Sequence, residues 1–178
     1  RYRTGLGHLI ELHQVPAIGW EGNQAFGSGR GYIWSRTLPM LKDTILLGYG
    51  ADTYCIYFPH EDYVGKYNAD WNINLIVDKP HNMYMGIAIG TGMLSLLALL
   101  SLFGIYAVQS FLLYRREQYN NEISFIGAGI FLGICGFLVA GLVNDSSVST
   151  MPMFYGLLGT GISVNMMLRR SAALKKDI

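Results

Sequence analysis

His81 and Asn82 stand where a polar segment, residues 1–82, gives way at once to an apolar run, in the stretch Asp78-Lys79-Pro80-His81-Asn82-Met83-Tyr84-Met85. An imidazole and an amide at the mouth of a membrane helix are retained for chemistry or transport more than for stability. Pro80 disfavours helical geometry at Lys79 and opens a helix cleanly, which predicts His81 in the first turn. A helix N-terminus carries partial positive charge and spare N–H groups, so it attracts phosphate. The same field favours a neutral ring that can accept a proton. The chemistry this allows is general-base catalysis beside an anionic leaving group. The alternative is a histidine that caps the helix or bonds to a neighbour.

Arg30 and Arg36 are the next candidates, because a guanidinium makes bidentate contact with phosphate. Their alternative is contact with lipid headgroups or a solvated face. Tyr32 and Trp34, close by, have the amphipathic rings found at headgroup level. Other clusters carry less. His60-Glu61-Asp62 are consecutive and do not converge on one ion, and His8 and His13 are five apart, off one helical face, so no metal is expected. No Gly-rich phosphate loop with a following Lys-Ser/Thr and no nucleophile elbow is present. Asn144-Asp145-Ser146 fits a glycosylation acceptor pattern, but its place in a tight loop predicts a polar cap on the preceding helix.

The elements that position these residues follow from hydropathy. Of 178 residues, 51% are hydrophobic and 14% charged, against about 25% charged in soluble domains. The net charge of +1, without a basic stripe, excludes nucleic acid as a natural partner. Cys55 and Cys135 lie in segments of different character and form no disulfide framework. Three uncharged runs predict membrane spans: about 83–113, 123–143 and 151–168, the last opening with Pro152 in its first turn. Arg115 and Arg116 follow the first span, and Arg169, Arg170, Lys175 and Lys176 follow the third, whereas 144–150 has neither Lys nor Arg. The positive-inside rule therefore makes the first loop and the tail, 169–178, cytoplasmic, and puts residues 1–82 outside the cytoplasm. Glycines four apart, Gly86 and Gly90, then Gly129 and Gly133, let helices approach closely. Three helices offer few surfaces for so many such stripes, so a larger bundle is expected, with earlier helices in a longer protein of which this is the C-terminal part.

In the outer segment, Ile33, Trp34, Leu38, Leu41, Ile45 and Leu46 recur at spacings of three to five, with Arg30, Arg36 and Lys42 between them. That pattern predicts an amphipathic helix over about 30–47, bent at Pro39 and lying along the membrane surface. The aromatic stretch 52–72 offers faces for stacking on sugars, and a small folded lid needs the same rings for its core. The fold class expected is all-α and integral to the membrane: three transmembrane helices plus an outer-face lid, 1–82.

The order of these motifs resembles the bacterial O-antigen ligase and O-antigen polymerase family. Gly27-Ser28-Gly29-Arg30-Gly31-Tyr32-Ile33-Trp34 looks like its small-residue, Gly, Arg, Trp start of an outer-face helix. Pro39 and Leu47-Gly48-Tyr49-Gly50 look like its proline and Gly-x-Gly continuation. Pro80-His81-Asn82-Met83-Tyr84-Met85, with Gly90 and Gly92 following, resembles its His-Asn-x-Tyr-Leu start of a membrane helix, with Met85 where leucine is usual. The resemblance covers residues 27–105 and the later spans by hydropathy alone.

The resemblance implies a multi-span glycosyltransferase of the GT-C kind. Such enzymes take a glycan from an undecaprenyl-diphosphate-linked donor at the outer face of the cytoplasmic membrane and join it to an acceptor hydroxyl, on a glycan or a lipid, with inversion and without metal or other cofactor. It implies His81 as the base and Arg30 on the diphosphate. Asn82, Tyr84 and Trp34, within the same motifs, are further substrate-binding candidates, and Arg36, which has no counterpart in the pattern, is a substrate-binding candidate by its guanidinium alone. It also implies inactivity without the earlier helices. Two rivals come from other classes. A transporter of the same lipid-linked sugars would break helices or place charge near the midplane, and these spans hold no charge. A non-catalytic anchor with a binding lid would leave His81 dispensable.

Overall fold

The computed structural model describes residues 2–3, 7, 9–10, 15–116 and 121–174. The strands β1 (Tyr2–Arg3) and β2 (Leu9–Ile10) pair antiparallel, with Tyr2 opposite Ile10. Everything that follows is helical: α1 (Phe26–Met40), α2 (Tyr54–Tyr57), α3 (Tyr63–Asn68), α4 (Met83–Thr91), α5 (Met93–Tyr114), α6 (Glu122–Ala140) and α7 (Met151–Leu174). The chain divides into two compact units, Arg1–Ser95 and Leu96–Ile178. The division falls after Ser95 rather than at the boundary expected at 82, because α4 packs with the outer segment instead of continuing into the span after it.

The first unit is built around α1. Gly27, Ser28 and Gly29 are left-handed, at φ of 59°, 60° and 89°, so the regular helix begins at Arg30. Pro39 has no N–H to give the Ser35 carbonyl, and the Ile18 N–H takes that place at 2.9 Å. The helix ends at Met40 rather than near 47, and Leu41–Thr44 form turns. Every residue from Gly31 to Thr37 is buried. This corrects the expected amphipathic surface helix: α1 has no exposed polar face and forms the centre of its unit. Tyr32, Ile33, Trp34 and Met40 pack with Tyr54, Phe58, Ala69, Val77 and Ile89. Each large apolar side chain so buried contributes about 1.5–3 kcal/mol.

The loops around α1 are held by polar groups. Asp62 caps α3, its carboxylate accepting from Gly65 N at 3.0 Å. The buried ammonium of Lys66 donates to three carbonyls, His60 at 2.9 Å, Ile73 at 3.1 Å and Leu75 at 2.8 Å, which matches its three protons and closes the loop after α3. His60 Nε2 bonds with the Cys55 carbonyl at 2.7 Å, while Asp62 faces Arg36, so the His60-Glu61-Asp62 run is divided between separate structural tasks.

The expected first span is two helices. Gly92, at φ 105° and ψ 158°, breaks the run between α4 and α5. Tyr49 N donates to Ile89 O at 2.8 Å, Gly50 N to Gly90 O at 2.9 Å and Met93 N to Thr44 O at 2.9 Å. The loop Thr44–Gly50 thereby takes up the carbonyls that end α4. It lies so close that a Cβ on Gly48 would strike the carbonyl of Gly90.

In the second unit, α5 and α6 are long and apolar enough to cross a membrane, and most of their residues are exposed, as lipid-facing helices require. The third expected span, in α7, is 24 residues long but carries Thr160, Ser163 and Asn165 and is less apolar. Pro152 occupies its first turn, as expected. The unit's core is Phe103, Tyr106, Ile134, Phe154 and Leu158. A buried polar chain crosses it: Tyr114 donates to Asn165 Oδ1 at 2.7 Å, and Asn165 Nδ2 to Ser110 at 2.8 Å. Asn144 caps the end of α6, Nδ2 donating to the Ala140 carbonyl at 3.1 Å.

Candidate functional site

The segment Pro80–Tyr84 opens α4. Asn82 is extended, at φ −156° and ψ 115°, and its Oδ1 accepts from Met85 N at 3.0 Å, the geometry of an N-cap. His81 therefore precedes the cap by one residue instead of lying in the first helical turn. The cause is local: an Asn side chain reaches the backbone two or three residues on, so the cap goes to Asn82. His81 itself is left-handed, at φ 50°. For a residue with a Cβ that conformation costs about 1–2 kcal/mol, and such outliers gather at ligand clamps and active sites. The ring is half-buried beside the N-terminus of α4.

Trp34 reaches this segment from α1. Its indole N–H donates to the Pro80 carbonyl at 2.8 Å, in the interior. Trp20 packs edge-on against the same indole at 5.5 Å. The expectation of Trp34 beside substrate meets a different placement: it is buried, and its one N–H already holds the residue before His81.

Arg30 lies one helical turn before Trp34, and residues four apart share a helix face. It is half-buried, and its Nη1 donates to the Gly27 carbonyl at 2.7 Å, one of its five N–H groups. The left-handed Gly27-Ser28-Gly29 turn brings that carbonyl back over the first helical residue. Gly29 is glycine for a second reason, since a Cβ there would enter the Trp71 ring.

Arg36 is buried. Its Nε donates to Asp62 Oδ2 at 2.8 Å, its Nη1 to Ser35 Oγ at 2.7 Å, and its guanidinium stacks over the Tyr32 ring at 4.5 Å. Tyr32 OH donates to the same Asp62 oxygen at 3.3 Å. Burial, then the adjacent Asp62 charge, pushes the Tyr32 phenol well above its ordinary range. Arg36 thus binds α1 to α3 and was expected beside substrate. Asp62 is the residue missed in the sequence. Its signal was the spacing Asp62-x-x-Gly65, a cap before a short helix. Tyr84, in the first turn of α4, is half-buried.

The structure thus ties Trp34 directly to the Pro80–His81 backbone, sets Arg30 one turn away on the same helix face, and assigns Arg36 to an internal ion pair. An imidazole at a helix start and a guanidinium at the start of a neighbouring helix can together move a proton and balance a developing anion. The family model described as O-Antigen ligase matches residues 5–100, over half of the chain, and spans every residue of this site. No curated protein and no solved structure matches the chain.

Proposed function

The chain belongs to the O-antigen ligase family, and we propose that its first unit carries the proton-transfer and diphosphate-binding part of a glycan-transfer centre. It is a membrane protein of polysaccharide biosynthesis, helical apart from β1 and β2 among the described residues. In the reaction proposed, a neutral His81 ring takes the proton of an acceptor hydroxyl. The acceptor oxygen attacks the anomeric carbon of a glycan carried on undecaprenyl diphosphate. The bond from that carbon to the diphosphate oxygen breaks with inversion, and Arg30 balances the charge left on the diphosphate. Asn82 fixes the helix start and Trp34 fixes the backbone before His81, so the base is held rather than free to swing. No metal takes part in this scheme.

The observation that carries the reading is the left-handed His81 at the start of α4, locked to α1 through Pro80 and Trp34. The orientation proposed sets α7 as a third span. Arg115–Arg116 and Arg169–Arg170 then lie on the cytoplasmic side of the inner membrane, with residues 1–82 and 144–150 on its outer side. Further helices of the same polypeptide complete the bundle. Replacing His81 by Ala in the full-length protein is expected to lower transfer in membranes supplied with lipid-linked donor by about 10²–10⁴-fold. Full transfer in that variant would remove His81 from the mechanism. In Arg30→Ala the donor concentration needed for half-maximal rate is expected to rise, and an unchanged requirement would count against diphosphate binding there.

One observation favours a second reading, a transporter of the same lipid-linked sugars: the break at Gly92 resembles the discontinuous helices that line transport sites. The absence of Asp, Glu, Lys and Arg between Met83 and Tyr114 weighs against it. Sealed vesicles with labelled donor separate the two. Translocation without glycan transfer would favour transport.

A further inference from the structure

We propose that Ile45, Leu46 and Leu47 form an apolar wedge that enters the acyl-chain edge of the leaflet in which α5 begins, and so seats the first unit on the bilayer. The three residues are consecutive, lie in a loop without helix or strand, and are 55%, 69% and 80% exposed. A single surface leucine needs no explanation, but adjoining large aliphatic side chains left exposed together mark a surface that meets something apolar.

The length of α5 sets the depth of this loop. Its 22 residues rise about 1.5 Å each, about 33 Å in all, close to the roughly 30 Å hydrocarbon layer of a bilayer. Met93, its first residue, therefore lies at one edge of that layer. Met93 N donates to Thr44 O at 2.9 Å, and Thr44 directly precedes the wedge. The wedge is held there again from its own backbone, since a Cβ on Gly92 would lie 2.8 Å from the Leu46 carbonyl. Just beyond it, Tyr49 and Gly50 donate to Ile89 and Gly90. At the same depth the exposed Leu94 begins the lipid-facing surface of α5, and the wedge extends that surface sideways.

The residues flanking the wedge suit the headgroup layer. Lys42 and Asp43, just before it, are exposed. After it Tyr49 stacks on Tyr57 with ring centroids 3.9 Å apart, and Tyr49 OH donates to Asp43 Oδ2 at 3.3 Å. Amphipathic tyrosine rings and a lysine with an apolar stem belong at that level. Only the side chains of the wedge enter hydrocarbon, because an irregular backbone must keep its polar groups in protein or in water. The loop also ends α4, so its seat in the leaflet fixes the height of the helix that His81 precedes. That consequence rests on the function proposed above, and the insertion itself rests on α5 crossing the membrane.

Collision measurements on a nitroxide spin label test this in the full-length protein, with its native cysteines replaced by alanine, in phosphatidylcholine–phosphatidylglycerol vesicles. Labels go at Leu46→Cys and Leu47→Cys, exposed positions where substitution disturbs a fold little. A label at Glu61→Cys, exposed and acidic in the native chain, is the aqueous reference. At both leucine positions collisions with oxygen, which concentrates in hydrocarbon, are expected to exceed those with a water-soluble nickel chelate, and at Glu61 the order is expected to reverse. A bimane at Leu47→Cys is expected to be quenched more by a lipid nitroxide high on the acyl chain than by one near its methyl end. Chelate collisions in excess at both leucines would put the loop in water and overturn the proposal, as would the same order at all three labels. Few collisions with either reagent would show that another helix of the polypeptide covers the loop, and overturn it equally. So would a bimane reached by neither lipid nitroxide, or quenched more by the deeper one. None of these readouts uses glycan transfer. A lipid-seated loop in a protein whose transfer survives His81→Ala would support the wedge and overturn the function. A wetted or covered loop in a protein that His81→Ala inactivates would do the reverse.

Discussion

The indole N–H of Trp34 donates to the carbonyl of Pro80 at 2.8 Å, across 46 positions of chain. Pro80 directly precedes His81, so the side chain of one helix sets the backbone that carries the candidate base on the next. Packing alone would leave that backbone several ways to turn. A buried, directional bond selects one, and the left-handed φ of His81 is the conformation that results.

Trp34→Phe keeps a large apolar ring and removes the donor. The Pro80 carbonyl then lies buried without its partner, at a cost of about 1–3 kcal/mol. If the bond positions His81, kcat for glycan transfer is expected to fall about tenfold or more, since small misplacements of a reacting group are costly, while KM for the donor holds. An unchanged kcat in a folded Trp34→Phe protein would detach Trp34 from the site.

Arg36 and Asp62 form a buried pair, with side chains 7% and 6% exposed. Removing one partner of a buried pair costs about 3–5 kcal/mol because the other charge stays behind. Arg36→Met is expected to lose most of that in denaturant titrations of the solubilised protein. Combining it with Asp62→Asn should restore part of the loss, as no lone charge remains and Asn can still cap α3. A double variant no more stable than Arg36→Met would show that the charge was not the cause.

Tyr32 gives the first unit a pH dependence. Its phenol is pushed up by burial and by Asp62, so the unfolded chain releases this proton near pH 10 while the folded chain keeps it. Above that pH the unfolded state binds fewer protons, and stability falls as pH rises. Below it this contribution is fully present. Unfolding followed from about pH 8 to 11, across that unfolded-state value, is expected to show the decline, and Tyr32→Phe to reduce its slope. An identical slope in the variant would assign the decline to other groups.

The membrane character was legible because apolar runs free of charge state it directly, and two of the three met the length and apolarity of a span as α5 and α6. The motifs around Arg30 and His81 were legible as a family pattern. What escaped was set by partners distant in sequence. Arg36 looked like the polar side of a surface helix because its counter-charge, Asp62, lies 26 residues away. His81 looked helical because the choice of cap depended on the Asn82 side chain rather than on Pro80. The span beginning at Met83 looked continuous because the loop that ends α4 comes from residues 44–50.

The glycines separate into two kinds that substitution can tell apart. A Cβ on Gly48 would overlap the carbonyl of Gly90, backbone against backbone, with no side chain able to yield. Gly48→Ala must push the 44–50 loop off α4 and strip Ile89 and Gly90 of their hydrogen bonds from Tyr49 and Gly50. Each buried carbonyl so exposed costs about 1–3 kcal/mol, enough to unseat α4 and the His81 segment at its other end. At Gly129 and Gly133 an added methyl would meet nothing within 4 Å, although the two share the spacing of a close-packing stripe. Ala there removes a helix-interior glycine and favours the helix by up to about 1 kcal/mol. The expected result is loss of folded protein and of glycan transfer in Gly48→Ala, against unchanged or raised thermal midpoints in Gly129→Ala and Gly133→Ala. A fully active Gly48→Ala protein would mean the loop does not hold the end of α4. A destabilised Gly129→Ala in the full-length protein would place a further helix against that stripe.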